Sequence, residues 1–190
     1  MTEINRSGLI AGNLVYANAR RGIFVSGSSN TWVVHNTVAD NAGGIVVMTQ
    51  GPGTPPRHAR VFNNLLLRNY VTGATTTRGA DLTLELPPDA AGQAAMDSSS
   101  DYNVFANNAW TPSMRPNWDE NHTFAQWQAR FGQDRHSKLM PIDYARTGTG
   151  FRLRTRTGLD AAGPLPEDIT AIWQPANPKR VGATLDRWPP

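Results

Sequence analysis

Short apolar runs recur along the first half of the chain, and glycine, serine or asparagine separates each run from the next. Residues 22–25 and 44–47 are apolar runs that open with glycine, whereas residues 31–34 and 59–62 tend to alternate between polar and apolar side chains. Runs of this length with turn-forming residues between them are typical of short β-strands joined by tight turns. The first half of the chain is therefore predicted to be all-β.

A pair of asparagines follows these strands at four places. The first asparagine of each pair is Asn13, Asn36, Asn64 and Asn103, and a second follows five residues later. The successive intervals are 23, 28 and 39 residues. Repeats of roughly 20–50 residues indicate solenoids or stacked arrays. The lengthening intervals predict loops inserted into a constant coil.

Apolar residues recur at fixed positions relative to this motif, and strand alternation predicts that they point into the core. They are Ile10, Val33 and Val61 before the first asparagine, and Val15, Val38, Leu66 and Phe105 after it. Each coil then offers three short strands, and successive coils stack in parallel about 4.8 Å apart. The corner asparagines are predicted to bond unpaired backbone groups and one another in a ladder.

The second half of the chain changes character. Thr123 and Gln126 form a capping box, and the apolar residues of Phe124–Phe131 share one helical face. We expect one short helix there, sealing the open end of the solenoid. From residue 141 onward, short apolar pieces lie among proline and glycine, which predicts an extended tail packed along the coils.

Composition narrows the possible functions. The 190 residues suit one domain, and the absence of cysteine excludes disulfides and thiolate metal sites. The charge of +3 comes from dispersed arginines, so neither nucleic acid nor a membrane is an expected partner. We expect no metal and no cofactor, and the first residues do not read as a signal peptide. Repeat material begins by residue 8, so we expect either the carboxy-terminal part of a longer solenoid or a very short one.

Residues 22–30 (GIFVSGSSN) and 33–38 (VVHNTV) resemble the repeat of right-handed parallel β-helix proteins in the pectate-lyase-like superfamily. Segments within residues 100–137 are similar to the closing part of many secreted bacterial β-helix proteins. The resemblance implies an all-β, right-handed parallel β-helix of about 3–4 coils, with a short capping helix and an extended C-terminal tail. Expected domain organisation is parallel β-helix coils over residues 1–109, with the cap and tail over residues 110–190 packed on the same domain. An extracellular or cell-surface location is also implied.

In this superfamily carbohydrate usually binds along the outer face of one parallel sheet. For the sheet that contains residues 22–25 and 44–47, the predicted outward residues are Phe24, Ser26, Val46 and Met48, followed on the next rung by Asp81, Thr83 and Glu85. Two loop insertions are expected to build the binding face: residues 50–57, and residues 73–80 together with 87–93, which lengthen the following rung.

Three residues after the first insertion are candidates for lyase chemistry. A polysaccharide lyase needs a base to remove the proton beside a uronate carboxyl group and a cation to stabilise the resulting anion. Arg57, His58 and Arg60 could supply these groups. The alternative is that they are solvated loop residues. The sequence shows no cluster of acids for Ca²⁺, so calcium dependence is not predicted.

A glycoside hydrolase instead needs two carboxylates. Asp81 and Glu85 are candidates, but four residues along one strand separate their Cα atoms by about 13 Å. Either would need Asp89, Asp97 or Asp101 from a neighbouring turn. The alternative is that these acids only face solvent.

Aromatic residues provide candidate sugar platforms, because their rings offer apolar faces. The candidates for substrate binding are Phe24, Trp32, Trp110 and Trp118. For Trp32 the alternative is cover by the C-terminal tail.

Two functions remain open from the sequence. One is a carbohydrate-active enzyme, lyase or hydrolase, acting on a polysaccharide or oligosaccharide. The other is a non-catalytic glycan-binding or structural module. Because the first coil is expected to expose unpaired strand edges, a homo-oligomer through the N-terminal end is also predicted.

Overall fold

The structure is a computed structural model that describes residues 8–49, 55–69, 80–106, 114–116, 121–147, 150–155, 157–160, 162–173, 175 and 178–183. Its strands are β1 (Gly8–Ala11), β2 (Leu14–Tyr16), β3 (Arg21–Ser26), β4 (Thr31–Val34), β5 (Thr37–Ala39), β6 (Gly43–Met48), β7 (Arg60–Phe62), β8 (Leu65–Leu67), β9 (Leu82–Leu84), β10 (Ser99–Asp101), β11 (Val104–Ala106), β12 (Met114–Arg115), β13 (Lys138–Met140), β14 (Tyr144–Thr147) and β15 (Gly150–Leu153). Its helices are α1 (Ala90–Met96), α2 (Phe124–Phe131) and α3 (Glu167–Ile172). None of these described helices is long and apolar enough to cross a membrane.

The first thirteen strands form three parallel sheets that share the coils between them. Sheet A has the order β1-β4-β7-β10, sheet B has β13-β11-β8-β5-β2, and sheet C has β12-β9-β6-β3. Each turn of the chain thus adds one strand to each sheet in sequence, which is the architecture of a parallel β-solenoid. Parallel pairing continues beyond residue 109 into β12 and β13.

The interior of the solenoid is filled by the apolar positions that the repeat predicts. Ile10, Val33 and Val61 lie in register across sheet A. They join the inward residues of sheets B and C in one buried cluster, to which Trp127 and Phe131 of α2 also belong. The predicted inward direction of these positions is confirmed.

The asparagine ladder is also confirmed. Nδ2 of Asn13, Asn36 and Asn64 each donates to Oδ1 of the asparagine in the next coil, at 3.0, 3.1 and 3.1 Å. The same Oδ1 atoms accept the backbone N–H of the preceding asparagine at 2.9–3.0 Å. Because a corner breaks the backbone ladder, these bonds satisfy groups that would otherwise be buried without partners.

This first ladder ends on a buried carboxylate. Asn103 Nδ2 donates to Asp134 Oδ1 at 2.9 Å, and Ser137 Oγ donates to the same oxygen at 2.5 Å. Trp127 Nε1 donates to Oδ2 at 2.9 Å, and Ser100 Oγ donates there as well. Since a carboxylate only accepts, Asp134 completes a ladder whose amide donors all point toward it.

A second ladder runs along the next corner and ends in the same way. Asn18 Nδ2 donates to Asn41 Oδ1 at 2.8 Å, and Asn41 Nδ2 donates to Asn69 Oδ1 at 2.9 Å. Asp81 Oδ1 then accepts the backbone N–H of Asn69 at 2.9 Å and its Nδ2 at 3.3 Å. Asp81 is therefore part of the internal framework of the coils.

Each coil also contains corner residues with a left-handed backbone. At the corner before sheet A, φ is 53° at Asn30, 54° at His58 and 47° at Asp97. Strand register places these three residues one above another, because Trp32, Arg60 and Ser99 are paired in β4, β7 and β10. The residues at two further corners also have a positive φ. They are Gly12, His35, Asn63 and Tyr102 at one corner, and Ala17, Asp40 and Arg68 at the other.

Helix α2 closes one end of the core as predicted. It spans Phe124–Phe131, and both hydrogen bonds of the capping box between Thr123 and Gln126 are present. Trp127 is fully buried, and the Phe124 ring lies 5.6 Å from that of Phe105 in the last complete coil.

The C-terminal part is more ordered than the prediction of an extended tail. β14 and β15 form an antiparallel hairpin, and residues 167–172 form α3. Residues 87–93, predicted to be a loop, contain the start of α1, whose N-cap Asp89 accepts the Gly92 N–H at 2.8 Å. These short segments lack the long apolar periodicity that identifies a helix in a sequence.

The tail is fastened to the corner between sheets A and B. Asn63 accepts the Gly163 N–H through Oδ1 at 2.8 Å and donates to the Gly163 carbonyl at 3.1 Å. Its own carbonyl accepts the Gly182 N–H at 2.8 Å, while His35 Nδ1 lies 2.9 Å from the Arg180 carbonyl. The tail therefore shares polar contacts with the second and third coils.

Candidate functional site

A cleft of about 440 Å³ lies between the outer face of sheet A and helix α3. Its described lining combines apolar side chains with one imidazole, one guanidinium and one carboxylate. The lining residues are Gly8, Leu9, Asn30, Trp32, His58, Arg60, Asp97, Ile169 and Ile172. The volume falls within the range of about 300–1,000 Å³ that is usual for small-ligand sites.

Strand register gives the floor of the cleft its order. Leu9, Trp32 and Arg60 are directly paired in β1, β4 and β7, so their side chains follow one another on the outer face of sheet A. The Trp32 ring also packs against that of Phe62, with the ring centroids 6.2 Å apart. Parallel pairing therefore holds an indole and a guanidinium on adjacent coils.

One carboxylate joins the two basic residues of the site. Asp97 Oδ2 lies 3.0 Å from His58 Nδ1 and 2.7 Å from Arg60 Nη2, and Arg60 also donates to the Asp97 carbonyl. The left-handed corners carry His58 and Asp97 at equivalent positions on successive coils. The ion pair is thus a consequence of coil stacking.

These contacts determine which atoms of His58 and Asp97 carry a proton in the hydrogen bond between them. The hydrogen bond from His58, followed by that from Arg60, lowers the pKa of Asp97, so its carboxyl group is ionised at neutral pH. An ionised carboxylate can only accept, so His58 Nδ1 carries the proton in this contact. In the neutral imidazole, Nε2 is then left as the acceptor. The His58 and Asp97 side chains are 49% and 55% exposed, so solvent and ligands can reach both.

Helix α3 forms the opposite wall. It buries Ile169, which is 4% exposed, and leaves Ile172 71% exposed. Trp173, which follows the helix, lies against Gly12: a Cβ atom at Gly12 would come within 3.2 Å of the indole. The Trp173 ring also lies 5.5 Å from that of His35. The Trp173 contacts fix the C-terminal end of the wall to the coils.

The described lining carries groups that can transfer a proton, face an anion and stack on a ring. His58 Nε2 can accept a proton, Arg60 can face an anion, and Trp32 can stack on a ring. Among the residues that the structure describes, no group of three or more histidine, cysteine, aspartate or glutamate side chains could hold a metal ion.

Three of the predicted site residues line this cleft: His58, Arg60 and Trp32. Arg57 is exposed and immediately precedes His58, and its carbonyl accepts the Asn30 N–H at 2.8 Å. Its side chain is not part of the described lining. Whether these residues act in catalysis or binding stays a prediction.

The structure does not bring the two predicted acids to this cleft. The prediction that Asp81 faces outward is wrong, because it is 1% exposed at the end of the second asparagine ladder. Glu85 follows β9 in sheet C, and its Oε2 accepts the Thr49 N–H at 2.5 Å. Both carboxylates therefore bond backbone or framework groups on another side of the solenoid.

The outer face of sheet C is not the open face that the sequence suggests. Val46, Met48 and Thr83 are at most 3% exposed, although the strand pattern directs them outward. Phe24 lies on the first strand of this sheet, with the Arg21 guanidinium 4.3 Å from its ring centroid. Sheet A, with Trp32, presents the accessible cleft instead.

Some predicted features fall outside the described residues. They are Trp110, Trp118, residues 50–54 of the first insertion and residues 73–79 of the second. Asp101, another candidate carboxylate, lies in sheet A, where it accepts from His136 Nδ1 at 2.7 Å.

Sequence reasoning missed the pairing of His58 with Asp97 and the whole α3 wall. A signal for the pairing was present: Asn64 and Asn103 bond across 39 residues, and the same offset separates His58 from Asp97. Aligning every position on the asparagine repeat would have placed the two residues together. No comparable repeat marks Ile169 and Ile172, because the tail lies outside the coils.

Three stacked parallel sheets with corner ladders define a parallel β-helix protein, here with a mixed polar and apolar cleft on one face. The sequence matches the family described as right handed beta helix region over residues 1–109. The match covers more than half of the chain, so the protein belongs to this family. The predicted fold class, an all-β right-handed parallel β-helix, is confirmed. No curated protein and no solved structure matches the chain.

Proposed function

We propose that this β-helix protein is carbohydrate-active, binding an acidic glycan in the cleft over sheet A and cleaving it by a lyase reaction. The observation that carries the proposal is the convergence of Trp32, His58 and Arg60 on one cleft. An indole face, a possible base and a cation are the groups that binding and elimination of a uronate require.

In this reaction His58 Nε2 removes the proton on the carbon beside the uronate carboxyl group. The electron pair of that C–H bond forms a C=C bond, the neighbouring C–O bond to the rest of the glycan breaks, and the departing oxygen takes a proton from water. Arg60 faces the charge that develops on the carboxylate. Asp97 holds both side chains in place through bonds of 3.0 and 2.7 Å.

Hydrolysis has less support from the cleft. A glycoside hydrolase uses two carboxylates about 5–9.5 Å apart. The described lining contains one, Asp97, and it is already bonded to His58 and Arg60. Of the two enzymatic functions that the sequence leaves open, we therefore favour the lyase over the hydrolase.

A non-catalytic glycan-binding protein is the second candidate. The observation that favours it is that Arg60 donates both to the carbonyl and to the carboxylate of Asp97. A guanidinium held in this way has fewer donors left for a substrate.

We also propose that the protein belongs to the pectate-lyase-like superfamily and acts outside the cell or at the cell surface. The sequence resemblance supports both proposals.

The test is incubation of the whole chain with a panel of uronate and neutral polysaccharides. The lyase proposal expects an unsaturated product, seen by ultraviolet absorbance, with an acidic glycan. His58→Gln should lower that rate at least a hundredfold, the usual contribution of a general base. Glu85→Gln on sheet C is the matched control and should retain the wild-type rate.

The outcomes separate the candidates. Binding without product would support the non-catalytic module, and new reducing ends without an unsaturated product would support a hydrolase. Binding to no glycan of the panel would refute the proposed function.

A further inference from the structure

An exposed isoleucine stands at the mouth of the cleft. Among the described residues, Leu139 at 39% and Ile172 at 71% are the large apolar side chains that are classed as exposed. Leu139 lies on β13, whereas Ile172 lines the cleft. Single exposed apolar residues are common on protein surfaces, so exposure alone carries no argument.

What distinguishes Ile172 is that its neighbours hold it in place. Ile169, one helical turn earlier, is 4% exposed, and Trp173, the next residue, packs against Gly12 and His35. The side chain of Ile172 thus lies between a buried residue of α3 and a tryptophan that contacts the coils. Packing on either side of Ile172 therefore limits how far its side chain can move.

The rest of the cleft complements an apolar group at this place. Trp32 supplies an apolar ring on the sheet, and His58, Arg60 and Asp97 supply charges along the neighbouring corner. A sugar ring has C–H faces that pack against apolar side chains and a rim of oxygens that bond charged groups. A cleft with one apolar surface on the sheet, another on the tail and charges beside them fits such a ring.

We propose that the sugar site is composite: sheet A and the C-terminal helix α3 form it jointly, and Ile172 is a binding residue. A uronate ring packs between Trp32 and Ile172, with its carboxylate directed toward Arg60. This inference rests on the proposed glycan function, and it adds that the tail takes part in recognition as well as in covering the coils. The ligand class is an acidic sugar with at least one apolar ring face.

The experiment is calorimetric titration of the full chain, in the cold, with tetrasaccharides of galacturonate, glucuronate and mannuronate, and with a neutral tetrasaccharide of glucose. Ile172→Ala should weaken binding of the preferred uronate about tenfold, equivalent to about 1.4 kcal/mol. Ile172→Leu should restore most of the affinity. Leu139→Ala is the matched control and should bind like the wild type.

Thermal unfolding of the same variants shows whether a loss of affinity comes from the missing contact or from a loss of stability. Because Ile172 is largely exposed, Ile172→Ala should leave the unfolding midpoint unchanged. Wild-type affinity in Ile172→Ala, together with lost binding in Trp32→Ala, would overturn the composite site but leave the proposed function standing. Failure of the wild-type chain to bind any of the four sugars would overturn both.

Discussion

At the scale of single residues, the corner backbone and the chemistry of the cleft are connected. The corner before sheet A has a left-handed φ at its three described positions, which are Asn30, His58 and Asp97. Asparagine, aspartate and histidine are the non-glycine residues that adopt this conformation most readily. The side chains of all three form hydrogen bonds, and those of aspartate and histidine also accept or donate protons. A backbone requirement therefore places polar, reactive side chains in a column at the edge of the cleft.

His35 also has a left-handed backbone at a corner between strands, but its side chain is buried. Its Nδ1 faces the Arg180 carbonyl, which only accepts, so Nδ1 carries a proton and Nε2 accepts from Asn63 Nδ2 at 3.1 Å. The Asn63 amide cannot turn around without losing its bonds to Gly163. Burial lowers the pKa of His35 to about 4. Protonation would place two donors face to face beneath the tail.

We predict from this that acid destabilises the protein. The unfolded chain takes up the His35 proton near pH 6.5 and the folded chain near pH 4, so stability present above pH 6.5 is lost as the pH falls toward 4. The gap is worth about 3 kcal/mol. Urea unfolding between pH 7 and 4 measures the loss. His35→Asn, which tolerates the left-handed corner, should show a smaller slope with pH.

The control for this prediction is His136→Asn, because His136 is exposed. It should leave the slope close to that of the wild type. Equal slopes for the wild type and His35→Asn would contradict the assignment of the acid sensitivity to His35.

At the scale of elements, the asparagine ladders give the coils a direction. Each amide donates toward the later coil, so the last position must accept without donating, and Asp134 and Asp81 meet that need. Asp134 also ties α2 to the ladder through Trp127. The carboxylates are therefore the structural link between the repeat and the segments that end it.

We predict that Asp134→Asn destabilises the protein by about 1–3 kcal/mol. Its amide would face an obligate donor in either orientation, Asn103 Nδ2 on one side or Trp127 Nε1 on the other, and leave a buried donor unpaired. Burial raises the pKa of Asp134, so the substitution also removes a costly charge, which offsets part of the loss.

Urea unfolding at pH 7 measures this change. Asp143→Asn is the matched control, because Asp143 is exposed, and it should unfold at the wild-type urea concentration. A stabilised Asp134→Asn variant would show that the buried charge outweighs the ladder bonds.

The elements that the sequence predicts well are those whose signals are local. The corner asparagines, the strands and the α2 capping box can each be recognised from residues that are close together in the sequence, and the structure confirms them. Helix α3 meets the coils through Trp173, which contacts Gly12 and His35 far away in the sequence, and the strand pattern of sheet C does not reveal the burial of its outer face. Asp81 shows the difference: its residue type suggested an outward acid, but its place at the end of a ladder buries it.

At the scale of the whole molecule, the two ends of the solenoid differ. Helix α2 covers one end, whereas in the described chain β1, β2 and β3 each pair on one side only. Asn13 and Asn18, at the start of the two ladders, are exposed. Unpaired edges of this kind favour pairing with another chain.

We therefore predict self-association through the end that carries β1, β2 and β3. The mean mass measured by light scattering should rise above that of one chain as the protein concentration increases. A constant monomer mass at high concentration would contradict this.

The proposed functional site lies over sheet A, between Trp32 and α3. The most direct measurement is a crystal structure of the His58→Gln variant with a bound uronate oligosaccharide. We predict density for a sugar ring against Trp32 and Ile172, with its carboxylate near Arg60. Density over the outer face of sheet C, beside Phe24 and Glu85, would contradict it.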